Sequence, residues 1–192
     1  HGDEDHADHD DHGHDHSAGD PHFWLDPVVV AEAVKGIASA AVNAGWPESV
    51  EACATAYVDD LTALDEEIAA AVSAIEPDRR LLVTNHDALG YFADRYGFTV
   101  LGTILPATTT LAEANPADLA ELAEKVTETG VSAIFFDFQA SSADAQAFAD
   151  RLDGIQVVPL LTGTLVEDPE IGADYLTMMR TNVERIVAGL SN

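Results

Sequence analysis

Histidine is spent unevenly in this chain. Six of its eight histidines, His1, His6, His9, His12, His14 and His16, fall in the first 19 residues, HGDEDHADHDDHGHDHSAG. The acids Asp3, Glu4, Asp5, Asp8, Asp10, Asp11 and Asp15 stand among them, with no lysine, arginine or large apolar residue. Imidazole is a borderline ligand suited to zinc, copper and nickel, and nearby carboxylates raise the local concentration of cations. The irregular spacing differs from a run of consecutive histidines. Such a tract offers weak, multiple and poorly selective sites, a collector or sensor of metal; the plainer alternative is a solvated linker. It has too little apolar surface to offset its ordering entropy, so residues 1–19 are predicted to be disordered.

Only His22 and His86 lie outside the tract. His22 sits in Asp20-Pro21-His22-Phe23-Trp24-Leu25-Asp26-Pro27, between aromatics and just ahead of a helix start. It is either a structural histidine or a metal ligand at the junction of tract and rigid element. His86 sits in Thr84-Asn85-His86-Asp87-Ala88-Leu89-Gly90-Tyr91-Phe92, at a predicted strand-to-helix turn. The alternative there is a capping segment in which Asp87 or Asn85 does the capping. If one well-formed site exists, these two histidines are its natural pair. Asp137, in Ile134-Phe135-Phe136-Asp137-Phe138-Gln139, is an acid among apolar groups at a strand end, costly unless paired or liganding. Three roles stay open for it: metal ligand, orienter of a histidine, or cap for a helix at Ser142.

The elements that must position these groups follow from punctuation and periodicity. Asp26-Pro27 opens a helix to Asn43, and a longer amphipathic one runs from Pro47 to about Ile75. Apolar runs at 81–83, 98–104, 131–136 and 155–161 read as strands. Helices read over 87–96, 116–129, 142–152 and 172–190. Continuous apolar strands alternating with helices predict an α/β fold, a four-stranded parallel sheet covered on both faces and preceded by a helical pair. Three units follow: the tract at 1–19, a linking helix with its helical segment at 20–76, and an α/β lobe at 77–192. His86, Asp137 and Thr162 then share the carboxyl rim of the sheet, where ligands bind in such folds.

Composition narrows the function. Eight Lys and Arg against 35 Asp and Glu give a net charge of −27, which repels nucleic acid and anionic lipid. The single cysteine, Cys53, excludes a disulfide framework and a cysteine zinc finger, and its alanine-rich surroundings suggest a small core residue. No apolar run of about 18 residues is present. Residue 1 lies inside the tract, so the chain reads as a processed or truncated piece whose address would lie upstream. The nucleophile elbow, P-loop, dinucleotide fingerprint and H-E-x-x-H are absent from the sequence. Tyr91, Phe92, Tyr96, Met178 and Met179 read as core, and Arg180 and Arg185 as helix C-terminal charges.

DPHFWLDP, TNHDALGYFADRYGF, IFFDFQAS and DYLTMMRTN, in that order, resemble the zinc- and manganese-specific solute-binding proteins of bacterial ABC transporters. The acidic His-rich stretch resembles the charged loop of their zinc-uptake branch. The resemblance implies the His-rich loop, the linking helix and the C-terminal lobe of a two-lobed protein that holds metal between its lobes. It makes His22 and His86 metal ligands and assigns a third histidine to an N-terminal lobe outside this sequence. Many members carry an acidic ligand after the last strand. Here that stretch is Leu161-Thr162-Gly163-Thr164-Leu165, and the nearby Glu167 and Asp168 are not assigned to the site. A three-histidine site with water or another group fourth suits Zn2+ better than Mn2+. The resemblance further implies a non-catalytic, monomeric zinc carrier, periplasmic or lipid-anchored outside the cytoplasm. Its partners would be a membrane permease and a metallochaperone. The rivals are a metal buffer or surface adhesin that uses only the tract, and a zinc hydrolase with Asp137 as base.

Overall fold

Asp26 starts the first long helix as its side chain demands. Its carboxylate accepts the Val28 N–H at 2.8 Å, and Pro27, which has no N–H to satisfy, takes the first helical position. The computed structural model describes residues 19–105, 114–152 and 154–191. The histidines expected to attract metal, His1, His6, His9, His12, His14 and His16, lie outside these residues, as does the predicted disorder at 1–19 apart from Gly19. The order is α1 (Pro27–Asn43), α2 (Ser49–Val72), β1 (Leu81–Thr84), α3 (Gly90–Tyr96) and β2 (Thr99–Thr103). Then come α4 (Pro116–Thr129), β3 (Ala133–Asp137), α5 (Ala143–Ala149), β4 (Gln156–Leu160) and α6 (Tyr175–Leu190).

All four strands are parallel, in the order β2-β1-β3-β4. Pro159 lies in β4, an edge strand, where a missing donor is tolerated. One face of the sheet packs Leu82, Phe135 and Leu160 against Leu64 and Ile68 of α2, Phe92 of α3 and Met179, Val183 and Ile186 of α6. The other packs Val83, Ile104 and Ile134 against Leu122 and Val126 of α4 and Phe148 of α5. Both faces are thus covered, which is why the strands read as unbroken apolar runs. At Gly102 in β2 a Cβ would lie 2.8 Å from Leu122 Cδ1, so the glycine lets α4 sit close.

Helix α2 carries its apolar stripe through Leu61, Leu64, Ile68 and Val72. Its other faces are tied by charge: Asp65 accepts from Arg95 and, at 2.9 Å, from the Tyr96 hydroxyl, and Glu67 pairs with Arg180 at 2.7 Å. Three sequence expectations need correction here. Cys53 is exposed, because it lies off the buried stripe. Arg180 and Arg185 are not C-terminal charges. Arg180 lies in the second turn of α6 and reaches α2, while Arg185 donates to the Pro159 carbonyl at 2.9 Å. Tyr91 is half-buried rather than core, whereas Phe92, Tyr96, Met178 and Met179 are buried.

Candidate metal centre

His22 is fixed by its own neighbourhood. The carboxylate of Asp20 accepts its backbone N–H at 2.9 Å and its Nδ1–H at 2.7 Å. The His22 carbonyl accepts from Leu25, starting the short 3-10 turn Phe23–Leu25 that leads into α1. The same turn aims Trp24 at the sheet. Its indole N–H donates to the Thr162 carbonyl at 2.7 Å, and its own carbonyl accepts the Tyr175 hydroxyl at 2.8 Å. Burial pushes the Tyr175 hydroxyl pKa up, which keeps it a donor. The His22 segment is thereby latched to the carboxyl rim of β4 and to α6.

His86 stands just past β1. The Asn85 N–H donates to the Phe135 carbonyl, and the Asn85 carbonyl accepts from Leu105, so the strand's bonding continues beyond Thr84. The Thr84 hydroxyl donates to the His86 carbonyl at 2.8 Å and turns the chain. Asp87 and Asn85 do not cap the following helix, contrary to one reading of this segment. That helix starts later, at Gly90, behind Leu89 and with no side-chain cap. The His86 Nδ1 lies 3.1 Å from Asn85 Oδ1.

The structure brings the two histidines together. Their ring centroids are 5.4 Å apart at 63°, and the two residues are only 6% and 4% exposed. In each, Nδ1 lies within hydrogen-bond distance of a side-chain oxygen, that of Asp20 for His22 and that of Asn85 for His86. Burial and the neighbouring His22 push the His86 pKa below its ordinary value, against the opposing pull of Asp137, Asp87 and Asp20. Neutral imidazole is the form that ligates metal.

Asp137 ends β3 beside this pair. Its Oδ2 accepts the Thr162 hydroxyl at 2.7 Å, and its Oδ1 accepts the Gln139 N–H at 2.7 Å. It does not cap α5, where Ser141 Oγ accepts the Ala143 N–H instead. A Cβ at Gly163 would stand 3.7 Å from Asp137 Oδ2. Among the described residues no group of three or more His, Cys, Asp or Glu side chains is placed to hold a metal ion. The space behind His86 is about 10 Å³, at the limit for one water. A cleft of about 410 Å³ lies at the opposite ends of β3 and β4, and Arg151 is the titratable residue among those that line it. The supporting acceptors Asp20 and Asn85 escaped sequence reasoning as partners of the histidines. Their adjacency in Asp20-x-His22 and Asn85-His86 is the signal that was there to read.

Comparison with known proteins places these residues in context. The family described as zinc-uptake complex component A, periplasmic, matches residues 1–189. The zinc-binding protein AdcA of Streptococcus pyogenes serotype M1 is 33% identical over 186 residues, covering 94% of this chain and 35% of that protein. The zinc-binding protein TroA of Treponema pallidum is 30% identical over 179 residues, covering 90% of this chain and 58% of that protein. The solved structure of periplasmic TroA superposes with a TM-score of 0.80 at 28% identity, covering 89% of this chain and 64% of that one. The laminin-binding adhesin Lmb of Streptococcus agalactiae, described as having adhesin and metal-transporting activity, gives 0.77 at 27%, covering 89% and 65%. The chain therefore spans about a third of AdcA and somewhat over half of TroA.

Proposed function

The chain belongs to the family of periplasmic zinc-uptake components, and from that membership we propose that it is the part of a zinc-capturing solute-binding protein that supplies two imidazoles to the metal. His22 and His86 are those ligands. Zn2+ is the cargo, taken up outside the cytoplasm and handed to the membrane permease of an ABC transporter, with no chemical step on the way. Two imidazoles fill half of a tetrahedral zinc shell. The reading assigns the other positions to groups elsewhere in the whole protein or to water, and Asp137 to a supporting place rather than a ligand. The tract of His1, His6, His9, His12, His14 and His16 gathers metal ahead of the site.

The observation that carries this reading is the buried pair itself, with rings 5.4 Å apart and each Nδ1 already engaged by an oxygen. Buried histidines so arranged leave their Nε2 atoms as the free donors. The test is a zinc competition titration, with manganese in parallel, on the full chain and on one beginning at Asp20. The shorter chain is expected to keep one zinc site and to prefer zinc. His22→Ala/His86→Ala in that chain should abolish the site. Loss of all binding on removal of the tract alone would overturn the assignment. The likeness to Lmb, described as an adhesin, supports a second reading as a surface adhesin. That reading predicts adhesion to a laminin-coated surface that survives the double substitution.

A further inference from the structure

The two imidazoles are held by different acceptors. His22 is met by the carboxylate of Asp20, and His86 by the side-chain amide of Asn85. An amide can present either its oxygen or its nitrogen, so the identity of the contacting atom decides what His86 can do. A second contact settles it: the backbone N–H of Asp137 also points at that atom, at 3.1 Å. A backbone N–H can only donate, so the atom it meets is the amide oxygen. The His86 Nδ1 facing the same oxygen must then carry the proton.

Asn85 is itself immobilised. It is buried, its N–H donates to Phe135, and its carbonyl accepts from Leu105. The ladder between β1 and β3 pairs only Thr84 with Phe135. The Asn85 side chain extends that pairing to Asp137, bridging the two central strands where the ladder stops. Asp137 is braced in turn by Thr162, whose carbonyl holds Trp24. The amide is therefore set by the sheet, and the ring of His86 by the amide.

We propose that Asn85 is a positioning residue: its oxygen locks His86 in the Nδ1–H tautomer and keeps Nε2 free for a metal ion. The role rests on the metal-binding reading above, but the tautomer belongs to the metal-free chain. Asp is the conservative replacement, because a carboxylate accepts the same two hydrogen bonds. Alanine accepts neither.

The experiment is nitrogen-15 NMR of the His86 ring in the full chain stripped of metal, at a pH above about 7 where imidazoles are neutral. His86→Gln assigns the signals. The wild type is expected to show a protonated Nδ1 and an unprotonated Nε2. Asn85→Ala should mix the tautomers or favour the other, and weaken zinc binding by about tenfold to a hundredfold. Asn85→Asp should restore the wild-type tautomer and most of the affinity. A wild-type ring protonated at Nε2 would overturn the proposal whatever the variants do, as would an unchanged tautomer in a folded Asn85→Ala. Should Asn85→Ala not fold, the wild-type and Asn85→Asp spectra still decide. A wild-type chain with the expected tautomer but no zinc binding would tell against the metal reading and support the lock.

Discussion

Asn182 offers the sharpest test of how the rim is built. It lies buried in α6, and its amide takes both backbone groups of Leu161, accepting the N–H at 2.8 Å and donating to the carbonyl at 2.9 Å. Leu161 is the first residue past β4, so this clamp does what a neighbouring strand would have done. Replacement by Leu removes both partners and fills the space against water. Each orphaned backbone group costs about 1–3 kcal/mol, so Asn182→Leu should destabilise by about 2–6 kcal/mol. Asn182→Ala leaves room for a water and should fall toward the lower end of that range. Set against a total stability of about 5–15 kcal/mol, this is a large share of the whole. With a urea slope of about 2 kcal/mol per M, the unfolding midpoint should drop by about 1–3 M. Asn115, the exposed cap of α4, is the control: its replacement by Ala should cost only about 1 kcal/mol. Because Thr162 follows Leu161 and holds both Trp24 and Asp137, zinc affinity should fall with the clamp. A midpoint for Asn182→Leu within about 0.25 M of wild type would refute the reasoning, since it would leave two buried groups unpaired at almost no cost.

Burial lowers the His86 pKa, so the unfolded chain binds more protons than the folded one just below the ordinary imidazole value of about 6.5. The His86 contribution to stability is therefore complete above that pH and is lost as the pH falls through the window down to the lowered folded value. Urea titrations across that window should show the slope, and His86→Gln should flatten it. Zinc binding should weaken over the same range, read by competition titration. Trp24 touches the His22 ring at 5.4 Å, while Trp46 is 64% exposed. Zinc should alter the emission of a Trp46→Phe chain and leave that of its His22→Ala derivative unchanged; an unresponsive parent would argue against metal at this pair. Gly102→Ala should push the added methyl onto Leu122 and cost about 1–3 kcal/mol, measured by thermal or urea unfolding.

What the sequence made legible follows the range of the interactions involved. The ends of α4 were readable because their signals are local: Asn115 accepts from Ala117, and Gly130 takes the left-handed conformation at φ 69°. The start of α3 was not, because Asn85, which leads into it, is held by bonds to Phe135 and Leu105, away in sequence. Cys53 was misplaced because alanine reads equally well on either face of a helix. Arg180 and Arg185 were misread because their partners, Glu67 and the Pro159 carbonyl, lie on other elements. The histidine pair could be guessed by elimination. The acceptors that orient each ring leave only a faint trace, the closeness of Asp20 to His22 and of Asn85 to His86, and that closeness becomes a hydrogen bond only once the backbone has turned.

The latch from Trp24 to Thr162 has a consequence for exchange. His22 belongs to the segment that leads into the helices, and His86 to the sheet, yet the latch makes them parts of one stiff body. A zinc ion entering such a pair finds the second imidazole at high effective concentration, with little conformational freedom left to surrender. The same stiffness means that the pair has no easy way to part. If the pair holds zinc as proposed, the lifetime of the bound ion is governed by whatever completes its coordination, and release is a matter of withdrawing that completion rather than of loosening the two histidines.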